Sequence, residues 1–407
     1  MKLGRTWLKS GPSIIAAVLL TALTATNLAG AATPATGPGS ASAAMPLPLP
    51  AGRQGSAAQV PWSQVGPGWL LSEWAPVAPS ETSGPAKYSV LYLVDPQGGR
   101  YVITTLATTH GDLVAWSGDG KRALFEAQTT TSSVVTVLQL QNGEASTFKI
   151  PGSEPWSVSF TEPDGLAIIA VGQVGPSGTV HVRRLDLNGT PAYSYPTAFP
   201  RAGRLNGGVL YSPDGTEIVL GTTRGFEVVA NTGQPLRYLP MRAEPGTCQP
   251  ARWWATGLLL ASCTPPNSSV PLLWLVPANG RPPEPLTLAP RRASGDYGDV
   301  DAWSLPSGDY AQDLGACGYI YLARVSGQRT TPVRVPGTAA DKSVYVLGAF
   351  GDQLALTTAF SCSPGSASLM WYDPATNAVT PLLGPPVNGG SVGTTLLWRE
   401  PPGSEEY

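Results

Sequence analysis

The side chains able to do chemistry are few and widely spaced. A chain of 407 residues carries two histidines, His110 and His181, and four cysteines, Cys248, Cys263, Cys317 and Cys362. Two imidazoles are too few for the multi-histidine metal centres that hydrolases build. Three carboxylates lie close together in Gly295-Asp296-Tyr297-Gly298-Asp299-Val300-Asp301. Oxygen ligands of this kind suit Ca2+, a hard cation. The spacing matches neither the EF-hand loop nor the calcium-binding nonapeptide repeat, so a solvated loop is the preferred reading, no cofactor is expected, and a Ca2+ site is the alternative. Gly389-Gly390-Ser391-Val392-Gly393 has the form G-x-S-x-G. A nucleophile elbow needs a strand before it, a helix after it and a later His, and no His follows Ser391. Gly118-Asp119-Gly120-Lys121 lacks the spacing and the Ser/Thr of a phosphate loop. No catalytic residue is assigned.

The elements that must position these residues start behind an export signal. Lys2, Arg5 and Lys9 precede an apolar run from Ile14 to Ala25, and Ala29-Gly30-Ala31 reads as a cleavage site. Residues 1–31 are therefore expected to be a signal peptide. An uncleaved anchor is the alternative, and membrane contact is expected only in that case. The formal net charge is −2, and removing those three cations leaves −5. Phosphate contacts need clustered Lys and Arg, so nucleic acid is excluded as a partner. Residues 32–60 are rich in Ala, Pro, Gly and Ser and read as a linker. Residues 61–400 hold a steady composition, and 401–407 read as a flexible tail.

One unit repeats through 61–400. Turns end at Gly98, Gly143, Gly189, Gly233, Gly280, Gly327 and Asn377, with spacings of 45, 46, 44, 47, 47 and 50 residues. Short runs of β-formers flank each turn, as in Ser89 to Val94 and Leu272 to Val276. An earlier hairpin recurs around Gly118-Asp119-Gly120, Pro163-Asp164-Gly165, Pro213-Asp214-Gly215, Ala255-Thr256-Gly257, Pro306-Ser307-Gly308 and Phe350-Gly351-Asp352. Seven units of this length predict an all-β, seven-bladed β-propeller of four-stranded antiparallel blades. Pro is spread throughout, and no segment keeps a 3.6-residue period long enough for a helix. Ser391 to Trp398 falls beyond the seventh unit. It is expected to add a strand to the first blade, because an open ring would leave unpaired backbone edges. Which strand of that blade it supplies is left open.

An exported chain with an even cysteine count is expected to oxidise. Four cysteines allow three pairings. Cys248 and Cys263 flank one hairpin, while Cys317 and Cys362 are one repeat apart, so 248–263 and 317–362 are preferred. A Cys metal site is disfavoured because no C-x2-C pair occurs.

Ser212-Pro213-Asp214-Gly215-Thr216-Glu217-Ile218 resembles the blade signature of TolB-type and WD40-like propellers. Tyr372-Asp373-Pro374-Ala375-Thr376-Asn377 is similar to the kelch turn, with Val379 where kelch repeats carry Trp. The resemblance implies a secreted or envelope-facing bacterial protein that binds other proteins. In a propeller, the loops into the first strands and between the second and third strands meet at one end of the channel. A ligand-binding rim there would include His110, Arg201, Arg204, Arg291, Arg292, Asp296, Asp299 and Asp301. The expected function is a monomeric, non-catalytic module for a protein or peptide of the cell envelope. The alternatives are a secreted propeller enzyme acting on a carbohydrate or lactone at the channel mouth, and a membrane-anchored extracytoplasmic sensory or structural domain.

Overall fold

The computed structural model describes residues 48–76, 86–107, 109–152, 156–174, 178–241, 246–255, 257–266, 268–288, 297–315, 320–338, 343–359 and 365–398. The signal-peptide and tail expectations, Arg291, Arg292, Asp296, Cys317 and Cys362 lie outside these residues. Among the described residues the secondary structure is strand, apart from two 3-10 turns at Ala57–Gln59 and Trp62–Gln64. No helix there is long and apolar enough to cross a membrane.

The strands form seven sheets, one per repeat, antiparallel throughout except at the outer edge of blade 1. Blade 2 shows the plan. Asp112–Trp116 is the inner strand, followed by Arg122–Gln128, Ser132–Gln139 and the outer Ala145–Pro151. Blade 1 is assembled differently. Ser391–Leu397 pairs antiparallel with Leu70–Ala75, which continues to Tyr88–Val94 and Arg100–Ala107. The C-terminal strand is therefore the innermost of blade 1, and its neighbours are the inner strands of blades 2 and 7. Blade 1 also gains an outer strand, because Gln54–Ser56 runs parallel to Arg100–Val102. Val60 is buried against the seam with blade 2. The end of the stretch read as linker is thus built into the first sheet. Three Ala and two Gly among residues 51–58 hid it, since they carry little β signal.

Alternation along each strand sends successive side chains into opposite seams. Leu71, Leu91 and Leu93 of blade 1 pack with Leu113, Trp116 and Phe125 of blade 2. Their neighbours Leu70, Val90, Tyr92 and Val94 face the other way, onto Leu369, Trp371 and Leu383 of blade 7. Similar clusters fill each of the seven seams. Each fully buried Leu or Val contributes about 1.5–3 kcal/mol, so no single blade holds a core of its own. The ring is the folding unit.

The tight turns collect at one end of the blades, called here the turn face. Ser212 Oγ donates to Asp214 Oδ1 at 2.6 Å, and the Thr216 and Glu217 amides return to that pair. Ser117, Asp119 and the Arg122 amide repeat the pattern in blade 2. Gly215 and Gly120 hold φ of 69° and 73°, where a Cβ would be strained. Arg122 then reaches across the seam to the Gly165 carbonyl of blade 3 at 2.8 Å. The turn sequence thereby ties neighbouring blades as well as closing its own hairpin.

Candidate functional site

The opposite end, the loop face, carries His110, Arg201 and Arg204 of the residues singled out for a rim. His110 sits in the connection from blade 1 to blade 2. Its Nε2 is 3.0 Å from Glu73 Oε1, at the end of the second strand of blade 1. Its Nδ1 meets the Ala107 carbonyl, and its ring stands edge-on to Phe125, with centroids 4.9 Å apart. Burial pushes the imidazole pKa down. The hydrogen bond to Glu73, the Ala107 carbonyl and the charges of Glu73 and Asp112 outweigh that push and hold it above the usual histidine value.

Asp301 occupies a different environment. It lies on the inner strand of blade 6, Asp299–Leu305, and is bound by Arg252 on the inner strand of blade 5, Thr247–Ala255. Arg252 Nε donates to Asp301 Oδ1 at 2.7 Å, and Nη2 donates to Oδ2. The guanidinium lies 4.3 Å from the centroid of the Trp303 ring. Asp301 Oδ1 also accepts the Ala302 amide at 2.8 Å. The carboxylate proposed for the rim is therefore buried and committed to a seam. Asp299, also buried, sits opposite Asp313 on the neighbouring strand. Among the described residues, no three His, Cys, Asp or Glu side chains converge as metal ligands.

Arg201 is exposed on the loop entering blade 4, and Arg204 is exposed at the start of the blade's strand Gly203–Tyr211. The two-residue turn Thr223-Arg224 adjoins that loop and brings a third exposed arginine. The Thr223 amide donates to the Arg204 carbonyl at 2.8 Å, and the Arg224 amide to the Ala202 carbonyl at 3.1 Å. The carboxyl of the buried Glu227 is pushed up by burial and eased back by the Arg201 charge. Arg224 was not singled out from the sequence. Its signal was available, since a turn between a second and a third strand belongs to the same face. Tyr88 and Tyr297 are exposed at this face as well. Trp156, which begins the inner strand of blade 3, and Trp303, within that of blade 6, are buried in seams and offer no contact surface.

Cys248 and Cys263 are disulfide-bonded across the first two strands of blade 5, as the hairpin spacing predicts. Cys248 opens the strand that carries Arg252, so the bridge and the ion pair act on one element.

No protein-family model matches the chain, and no curated protein matches it by sequence. Solved propellers match its fold. The β-propeller domain of the Trilobed protease from Pyrococcus furiosus aligns at a TM-score of 0.51 with 10% identity, covering 80% of this chain and 95% of that one. That domain has an open velcro topology; here Ser391–Leu397 is hydrogen-bonded into blade 1. The oligogalacturonate lyase from Vibrio parahaemolyticus aligns at 0.47 with 12% identity, covering 78% and 86%. At these identities the likeness is one of fold.

Proposed function

We propose that this chain is an exported, non-catalytic recognition module that binds a protein or peptide of the bacterial envelope across its loop face. The carrying observation is the trio Arg201, Arg204 and Arg224, exposed on a loop, the strand start that follows it and a neighbouring turn, which backbone hydrogen bonds hold together. Guanidinium groups fork onto carboxylates, so the fitting partner presents an acidic segment. Loops on a rigid ring suit recognition without rearrangement. His110 and Asp301, both candidates for the rim, are each engaged across a blade seam, which favours binding over turnover. The TolB-type likeness of the Ser212 to Ile218 turn and the export signal agree with an envelope partner.

Affinity capture from envelope extract tests this reading. The full chain should retain a discrete acidic partner in a salt-sensitive manner. An Arg201→Glu/Arg204→Glu/Arg224→Glu variant should retain about tenfold less, since like charges at a rim slow association. Equal capture by both would move the site off blade 4.

A further inference from the structure

We infer that the loop end of blade 1 holds a second subsite, one that takes a primary ammonium on an aliphatic stem, as a lysine side chain presents it. It goes beyond the arginine face of blade 4, has the opposite charge preference, and does not depend on it.

The site is a small open cavity of about 110 Å³ where the closing strand meets blade 1, lined by Glu73, Trp74, Ser89, Val392 and Gly393 among others. Its size decides what enters. Pockets for whole small molecules run to about 300 Å³ or more, so this one suits a single side chain. Charge decides the head group. Glu73 is the one charged residue in the lining; His110 engages its Oε1, and a neutral head group would give Oε2 no donor.

The geometry around Glu73 is specific. Its Oε1 is taken by His110 at 3.0 Å, which orients the carboxylate. A Cβ at Gly393 would stand 3.7 Å from Oε2 and 3.3 Å from the Glu73 Cβ, so the glycine leaves the space beside Oε2 open. The walls supply the stem's surroundings. The Trp74 indole is fixed by its Nε1–H, which donates to the Gly389 carbonyl at 2.8 Å, and by an edge-on contact with Tyr92. Val392 adds an aliphatic surface. The buried Ser89 hydroxyl, which makes no hydrogen bond among the described residues, adds an acceptor oxygen to the lining. Carboxylate, indole and aliphatic wall together match an alkylammonium, whose stem packs while its head stays paired.

The test uses the full chain, labelled with 15N, and follows the Trp74 indole N–H. The probes are acetylated and amidated Gly-X-Gly peptides with X lysine, norleucine or glutamate, and uncapped triglycine as a source of α-ammonium. The lysine peptide should shift the resonance saturably and bind about fivefold tighter than the norleucine peptide, the size of one exposed cation contact. Glu73→Gln, which keeps the shape, should erase that difference. Gly393→Val should abolish the shift. Equal binding of the lysine and norleucine peptides, lysine binding unchanged in Glu73→Gln, or a preference for triglycine would each overturn the proposal. Capture of an envelope partner by blade 4 is a separate measurement, so the failure of either leaves the other standing.

Discussion

Two seams of the ring carry an acid–base pair near the channel, and they are built on opposite terms. Between blades 5 and 6, Arg252 and Asp301 have side chains only 6% and 3% exposed. Both sit on inner strands, with a disulfide at the head of one of them. Between blades 1 and 2, Glu73 and His110 are 11% and 16% exposed. One lies on a strand and the other on a loop, beside a ring closure made without a covalent bond. A guanidinium keeps its charge at any physiological pH, whereas an imidazole does not. The first seam is therefore fixed, and the second responds to pH. The responsive pair borders the cavity assigned to a cationic side chain.

The sharpest way to break the comparison is Arg252→Met. It strands a buried carboxylate and should cost about 3–5 kcal/mol, read as a lower denaturant midpoint. Arg252→Met/Asp301→Leu should recover most of that loss, because two apolar groups of similar volume leave no charge to solvate. If the single variant loses under 1 kcal/mol, the seam is wetter than its burial implies. Next in size is the covalent clip. Cys248→Ala/Cys263→Ala opens a loop of 15 residues and should cost about 3 kcal/mol in the chain-entropy account. Wild-type stability in that variant would place the rigidity of blade 5 in Arg252 alone.

The smallest effect belongs to the other seam. His110 has its pKa raised by folding, so its contribution is complete below the unfolded value, about 6.5. It fades as pH rises through the higher folded value. Stability measured from acid to alkaline pH should fall by no more than about 1 kcal/mol across that window, as a partly exposed pair allows. His110→Gln should flatten the profile there. A profile that rises with pH over the same range, and flattens in the variant, would reverse the assigned direction.

Much of the fold was legible because it is local and repeated. Ser212-Pro213-Asp214-Gly215 closes the turn its residue types require, and Ser117 to Gly120 repeats it with the same donors and acceptors. Strand alternation in Ser89 to Val94 separates the two seam faces without reference to any other blade. Cys248 and Cys263 were assignable because a hairpin brings them together. The candidate site was legible only in part. Arg201 and His110 fall on loops, and Arg204 at a strand start, that the repeat places at one face. Asp301 was misjudged as a rim residue because its partner, Arg252, is 49 positions away on another blade. Glu73 and Gly393 drew no notice for the same reason, as 320 residues separate them.

The sequence alone determined the number of blades, the order of strands within blades 2 to 7, the turn chemistry and one disulfide, since each follows from residues within about one repeat of each other. Tertiary structure decided that the last strand becomes the innermost of blade 1, that Gln54–Ser56 lines its outer edge, and which charges are spent between blades. These depend on closing a ring. A seam joins two faces that each read as ordinary alternating strands, and only their apposition shows whether a carboxylate meets a guanidinium, an imidazole or an open space.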